Sequence, residues 1–298
     1  MELEWKKIEV QDRALFLPYL YSLASRSAET TFANLYLWSR QYPTGYAVVG
    51  DFLVMKSLEE EVFAFPAGTG DLRKIVEALD AYQRERGQAL AFQCVTREQF
   101  AQLEALFPGR FQIEYDRDYA DYVYDAEKLA NLSGKKYHGK KNHVNKFQKQ
   151  YPDWSYEPMT ADNLEDCFQM ALIWRRENGC EEDVEKNAEM CVALNALRLF
   201  TELSMEGGVL RVGGEVVAFT LGEQACEDTF VVHIEKARAD IDGAYTMINQ
   251  QFVQHALLGK YKCVNREDDV GAEGLRKAKL SYHPAFMVDK GYVTEREG

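Results

Sequence analysis

The feature that most constrains this chain is a recurrence. Apolar spacing along the 298 residues gives one order of elements twice: strand, helix, helix, three strands, helix, strand, helix, strand. In the first half a short strand around residues 4–9 precedes a helix from about Asp12, with Leu15, Tyr19, Leu20 and Leu23 at helical spacing. A second helix fits residues 31–38. YAVV (46–49), FLVM (52–55) and VFAF (62–65) read as strands, with Gly50–Asp51 as a tight hairpin turn. Asp71 opens a helix that places Leu72, Ile75, Val76 and Leu79 on one face. A strand at 90–95, a helix marked by Phe100, Leu103 and Phe107, and a strand at 111–115 complete the half.

The second half repeats the order. A strand at 154–158 leads to a helix capped by Asp162, and a further helix spans 184–205 and stops at Gly207–Gly208. Strands follow at 209–212, 216–222 and 229–235, with Gly213–Gly214 as a hairpin turn. Asp242 starts a helix carrying Ala244, Ile248, Phe252 and Ala256. KCVN is a short strand, 271–279 a short helix, and AFMV a last strand. The halves share order and not residue identity, which marks a structural repeat. A chain this long exceeds one typical core. The prediction is an N-terminal domain at 1–125, a linker helix at 126–152, and a C-terminal domain at 153–298 that carries the site.

GKKYHGKKNHVNKFQKQY (134–151) has six lysines, two histidines and no acid, inside a chain of net charge -13. An acidic chain repels nucleic acid and anionic lipid at long range, so an anion must be met by a local patch. On a helical wheel Tyr137, Val144, Phe147 and Tyr151 share a narrow sector; Lys135, His138, Asn142, Asn145, Lys146 and Lys149 lie opposite. Ser133 is the expected cap. A solvated helix usually mixes charge signs to gain pairs one turn apart, and this one cannot. The helix is therefore expected to hold a phosphate-bearing donor through Lys135, Lys136, His138, Lys140, Lys141, Asn142, Asn145 and Lys146. The alternatives are an anionic lipid surface and a plain solvated face. Its cations are all Lys, which suits tolerant phosphate contact better than bidentate reading of base edges.

In TFVVHIEK the side chains alternate, so His233 and Glu235 share one sheet face. Glu235 is a candidate general base, and His233 reads as structural. NREDDVGAEGLRKAKLSYHP (265–284) is the densest polar cluster. Glu267, Asp268 and Asp269 follow a strand, where α/β folds often place a site. Arg276 and Lys279 lie on the next helix. The catalytic candidates are Glu235, Glu267 and Asp269 as acids, with Arg276 and Lys279 near a carbonyl oxygen that gains charge. The bland reading is a salt-bridged loop.

The repeated order resembles the GNAT acyltransferase pattern. The expected fold class is thus α/β (α+β), two tandem GNAT-like domains with mixed, mostly antiparallel sheets. Acetyl-coenzyme A enzymes of that fold carry R/Q-x-x-G-x-G/A where the fourth strand meets the third helix. This chain has KARADIDGAYT there, and Asp240 and Asp242 would oppose an anion by about 1–4 kcal/mol. FPAGTGDLRK in the first half is a weak substitute. TFANLYLW, DFLVMK, KKYHGKKNHVNKF and NREDDVGAEGLRKAKLSYHP together make the chain similar to soluble relatives of the phosphatidylglycerol lysyltransferase C-terminal region. GLRKAKLSY also resembles the G-L-x-x-F-K segment of Fem-type peptidyltransferases; Lys279 matches the lysine there and Ala278 replaces the aromatic. The resemblance implies aminoacyl transfer from a charged tRNA to an amine or hydroxyl. Acyl-coenzyme A as donor to a small amine, and a non-catalytic binding module, are the other readings.

No apolar run approaches the roughly 18–20 residues of a membrane span, and MELEWKKIEV lacks a signal-peptide core, so a cytoplasmic location is expected. Cys94, Cys167, Cys180, Cys191, Cys226 and Cys263 form no C-x-x-C pair, and no metal site is expected.

Overall fold

Two mixed sheets organise residues 3–296, which the computed structural model describes. Both units are GNAT-like: an antiparallel meander passes into one parallel strand pair, and helices cover the sheet.

The first unit contains residues up to Asp121, with Asp268–Glu273 and the chain from Met287 onward. Its sheet runs Lys6–Lys7, Thr44–Val49, Phe52–Ser57, Phe63–Ala64, Phe92–Thr96, Lys290–Glu295, Phe111–Tyr115; Ala67–Gly68 pairs with Phe52–Ser57. The hairpin at Gly50–Asp51 is as expected, with Val49 opposite Phe52 and Gly50 at φ +57°. Asp71 accepts the Lys74 N–H and caps helix Leu72–Arg84, which buries Ile75, Val76 and Leu79 against Phe63 and Phe92. Thr96 and Gln99 close a reciprocal capping box on helix Arg97–Leu106.

The second unit contains Tyr122–Glu267 and Gly274–Phe286. Its sheet runs Phe286–Val288, Asp121–Asp125, Cys263–Asn265, Thr229–Ala237, Glu215–Cys226, Glu206–Val212, Ser155–Pro158. Thr229–Ala237 and Cys263–Asn265 pair in parallel, whereas the ladders from Asp121–Asp125 to Cys263–Asn265 and from Thr229–Ala237 through Glu215–Cys226 and Glu206–Val212 to Ser155–Pro158 are antiparallel. Helix Ala244–Phe252 packs on Glu206–Val212 and Glu215–Cys226, and helix His138–Gln150 packs on Ala244–Phe252.

Several expectations need correction. The units interleave and are not the contiguous segments 1–125, 126–152 and 153–298, because Asp121–Asp125 pairs with Cys263–Asn265 while Lys290–Glu295 inserts between Phe92–Thr96 and Phe111–Tyr115. The basic helix belongs to the second unit. Gly207 and Gly208 lie inside strand Glu206–Val212, not at a helix end; helix Val184–Arg198 has already stopped. A Cβ on Gly207 would sit 2.7 Å from the Thr220 carbonyl oxygen, and one on Gly208 2.6 Å from the Tyr156 ring, so both glycines serve close approach. Helix Leu164–Glu177 is preceded by Asn163, not capped by Asp162; the Asn163 side-chain oxygen accepts the Thr160 N–H at 2.9 Å. Ser133 is replaced as the entry by a 3-10 turn, Lys135–Tyr137.

Candidate functional site

The site is built around one interruption in the second sheet. Cys263–Asn265 pairs with Thr229–Val231, and then the ladder ends while strand Thr229–Ala237 continues. Beyond that point the two strands part and leave a gap. Here the next two residues bridge it. Arg266 Nη2 donates to Glu235 Oε1 at 2.7 Å, and Glu267 Oε1 lies 2.7 Å from His233 Nδ1. The alternation read from the sequence sets His233 and Glu235 on one face, so both can meet partners arriving from the same side.

The bridging segment is fixed from several directions. Glu267 has φ +56°, and its N–H donates to Asn265 Oδ1 at 2.7 Å. Tyr122 ties down both bridging residues through the backbone: the Arg266 N–H donates to the Tyr122 carbonyl at 3.0 Å, and the Tyr122 N–H donates to the Glu267 carbonyl at 3.0 Å. Lys279 Nζ donates to the Arg266 carbonyl at 2.7 Å, and the Tyr124 hydroxyl donates to the Lys279 carbonyl at 2.8 Å. Lys279 therefore holds the backbone of the bridge.

His233 lies between two acids, with Nε2 3.2 Å from Glu223 Oε1. Burial lowers the imidazole pKa, but the hydrogen bonds and charges of Glu223 and Glu267 outweigh it and push the value up to about 10. The ring is an imidazolium at neutral pH, and its two N–H groups both donate. Glu235 is likewise engaged at both oxygens, since Asn249 Nδ2 donates to Oε2 at 3.3 Å. Arg266 lies against two rings, 4.9 Å from the Tyr282 centroid and 5.8 Å from that of Tyr124. Among the described residues, Arg266 Nη1, Asn249 Oδ1 and Thr220 Oγ1 are buried without a hydrogen-bond partner.

The basic helix lies alongside. Tyr137, Val144 and Phe147 are buried with Leu210, Val217, Met247 and Ile248, and Tyr151 packs on the edge of that cluster, as the wheel implies. Lys135, Lys136, His138, Lys141, Asn142, Asn145 and Lys146 are exposed. Leu132, Ser133, Gly134, Lys135, His138 and Lys141 line a groove of about 550 Å³. A neighbouring depression of about 370 Å³ adds Lys128, Lys136 and His283. Two members of the set differ from the rest. Lys146 is ion-paired with Asp242. Lys140 turns inward, half-buried, with Nζ 3.9 Å from the Tyr282 ring centroid. Burial first, and then the charge of Arg266, pull its pKa down to about 8 against a smaller opposing effect of Glu235.

The segment that would seat a pyrophosphate also has a defined state. Asp240 pairs with Arg238 at 2.6 Å and Asp242 with Lys146, so the anticipated repulsion is largely matched within the protein. The seat is covered instead. A Cβ on Gly243 would lie 3.2 Å from the His143 carbonyl oxygen and 3.3 Å from Phe147 Cβ.

The structure brings Glu235, Glu267 and Lys279 together with the inward Lys140. Asp269 belongs to the first unit, is fully buried, and accepts the Gly271 N–H at 3.0 Å and an Arg117 N–H at 3.5 Å. Arg276 lies partly exposed on helix Glu273–Leu280. Sequence reasoning missed Arg266, Asn249, Glu223, Tyr124 and Tyr282 as site residues. Arg266 and Tyr282 lay within the polar block already singled out, and the position of Arg266 directly after a strand was the available signal.

In the first unit Glu29, Asp121 and Asp268 converge, within 4.8 Å of one another. The Lys290 ammonium lies among them, 2.7 Å from Asp121, 3.7 Å from Asp268 and paired with Glu29. Lys290 is 2% exposed. Burial disfavours its charge, yet the three carboxylates hold its pKa well above the ordinary lysine range.

A family model described as phosphatidylglycerol lysyltransferase, C-terminal, matches residues 21–293. The chain belongs to the phosphatidylglycerol lysyltransferase C-terminal family. At the level of that family the chemistry is acyl transfer on a GNAT-like scaffold. Another chain similar to this lysyltransferase-family protein is a conserved protein of unknown function from Bacteroides thetaiotaomicron VPI-5482. Its crystal structure shares 37% identity and a TM-score of 0.93, over 99% of this chain and 100% of that one. The C-terminal domain of a proposed lysylphosphatidylglycerol synthetase from Agrobacterium fabrum superposes at TM-score 0.67 with 15% identity, over 97% and 92% of the two chains. L-PGS from Bacillus licheniformis superposes at 0.58 with 15% identity, over 98% and 94%. These last two share the fold. An uncharacterised protein of Mycoplasmoides gallisepticum is 25% identical over 177 residues, and the match spans 58% of this chain and 55% of that protein. Among the described residues no helix of this family member is long and apolar enough to cross a membrane.

Proposed function

We propose that this chain is an aminoacyltransferase that moves an aminoacyl group from a charged tRNA to an amine or hydroxyl acceptor. The observation that carries the reading is the acid-free helix His138–Gln150 with its 3-10 lead-in. It is anchored by Tyr137, Val144 and Phe147 and presents Lys135, Lys136, His138, Lys141, Asn142 and Asn145 to solvent along a groove. Exposed ammonium and amide groups on a rigid element suit phosphate contacts of low sequence preference.

The bridged divergence favours this donor over acyl-coenzyme A. A pantetheine arm entering between Thr229–Ala237 and Cys263–Asn265 would have to displace both the Arg266–Glu235 pair and the Glu267–His233 pair. Breaking a buried pair costs about 3–5 kcal/mol. An aminoacyl ester needs no such passage, since its phosphates stay on the groove and only the ester end approaches the bridge. The ester is already activated, so the protein mainly has to position it and steady the oxyanion. Among the described residues Arg266 Nη1 is a buried N–H donor without a hydrogen-bond partner, which suits that second task. Lys279 supports it by holding the Arg266 carbonyl.

The test is transfer of radiolabelled lysine from lysyl-tRNA to phosphatidylglycerol vesicles or a soluble amine, run beside acetyl-coenzyme A with the same acceptors. Label should move from the tRNA ester only. Transfer from the thioester and none from tRNA would reject the reading.

A further inference from the structure

We propose that Lys140 is the proton carrier of this site: its amine takes the proton of the attacking acceptor and returns it to the departing ribose oxygen. The inference rests on the aminoacyl-transfer reading above and revises the expectation that Lys140 grips phosphate.

Lys140 stands apart from the other lysines of its helix by placement. Lys135, Lys136, Lys141, Lys146 and Lys149 are exposed, whereas Lys140 is half-buried and its Nζ faces the Tyr282 ring at 3.9 Å. It makes no ion pair among the described residues. Its surroundings are defined on every side. Arg266, which follows the parallel strand, lies against the same ring; Glu235 comes from the central strand; Tyr124 and Tyr282 present phenols; Lys279 and His283 flank the turn; Lys141 and His143 share its own helix, and Lys136 lies in the 3-10 turn before it. Burial and Arg266 both disfavour the ammonium, and only Glu235 opposes them.

The two acids nearest the site are poor candidates for the same work. Glu235 is engaged by Arg266 at one oxygen and Asn249 at the other, and Glu267 is tied to the His233 imidazolium. Each carboxylate stabilises a neighbouring cation and frames the bridge. An amine whose pKa lies about 8 has a free lone pair in an appreciable fraction of molecules near neutral pH and regains full charge on protonation.

The step balances as follows. The acceptor oxygen or nitrogen attacks the ester carbonyl, and its proton passes to the neutral Lys140 Nζ. The carbonyl oxygen gains charge beside Arg266 Nη1, which has no hydrogen-bond partner among the described residues. The tetrahedral centre collapses, the bond from carbon to the ribose oxygen breaks, and the Lys140 ammonium gives its proton to that oxygen. No oxidant, reductant or metal enters.

The experiment uses the full chain with its lysines dimethylated by ¹³C-formaldehyde and followed by NMR. The Lys140 resonance is identified by its loss in Lys140→Arg. Its midpoint should lie near 8, below the ordinary lysine value of 10.5. In parallel, unmodified Lys140→Arg should bind uncharged tRNA as the wild type does but transfer lysine from lysyl-tRNA about 100-fold more slowly or worse. The rise of the wild-type rate with pH around 8 should vanish in the variant. A Lys140 midpoint in the ordinary range, or wild-type turnover in Lys140→Arg, overturns the assignment. Weakened tRNA binding with unaltered turnover at saturation returns Lys140 to the phosphate grip. Absence of transfer from any aminoacyl-tRNA by the wild type would instead sink the donor reading, while the titration would still decide whether Lys140 is built to exchange a proton.

Discussion

At the scale of single residues, His233 decides how the bridge is held. Its ring neutralises two acids at once, and its raised pKa, near 10 against the ordinary 6.5, has a definite consequence for stability. The protonated ring contributes stability that is fully present below pH 6.5 and is lost as the pH rises toward 10. His233→Gln leaves Glu223 and Glu267 facing one another without a cation. Unfolding in urea should show a loss of about 3–5 kcal/mol at pH 7. The decline in stability between pH 7 and 10 should also be shallower in the variant than in the wild type. A variant as stable as the wild type at pH 7 would contradict the imidazolium assignment. The common face of His233 and Glu235 was legible in the sequence, because strand alternation is a local property. Their partners were not. Arg266 and Glu267 lie about thirty residues further on, and only the parallel register of two strands brings them back.

At the scale of elements, the basic helix shows the same division between local and distant information. The apolar stripe of Tyr137, Val144 and Phe147 was readable from helical spacing, and all three are buried. The wheel could not tell which lysine would turn inward, since that depends on the turn carrying Tyr282, far along the chain. Phe147 is fully buried, so Phe147→Ala should lower stability by about 3–5 kcal/mol, measured by chemical denaturation, and should loosen the whole cationic face. A loss below about 1 kcal/mol would mean that the helix is not anchored as described. The double glycine at 207–208 carries a local signal that the tertiary structure overrides. Glycine after a helical stretch usually marks its end, but here both residues sit in a strand, and contacts with Thr220 and Tyr156 exclude a side chain.

At the scale of the whole molecule, the order of elements was legible and the path of the chain was not. Each repeat had enough periodic signal to reveal strands and helices. A strand's partner is not written in its own spacing, however, so the pairing of Asp121–Asp125 with Cys263–Asn265 and the insertion of Lys290–Glu295 into the first sheet were missed. The inserted strand begins with Lys290, whose buried ammonium meets Asp121, Glu29 and Asp268. Lys290→Met keeps the volume and removes the charge, leaving carboxylates buried together without a cation. Its unfolding free energy should fall by about 3–5 kcal/mol, with the first unit the more affected by hydrogen exchange. Wild-type protection in strands Phe92–Thr96 and Phe111–Tyr115 would show that the buried pair is not what fastens the C-terminal strand.

Aminoacyl transfer by this chain requires an anionic donor to be held by that helix. Its most direct test is the salt dependence of tRNA binding by the wild type and by the double variant Lys135→Glu, Lys141→Glu. If these two lysines contact phosphates, the double variant should bind more weakly at every salt concentration. The slope of log affinity against log salt should become shallower by about 1.4–1.8. Equal affinity and equal slope in the two proteins would contradict the central claim.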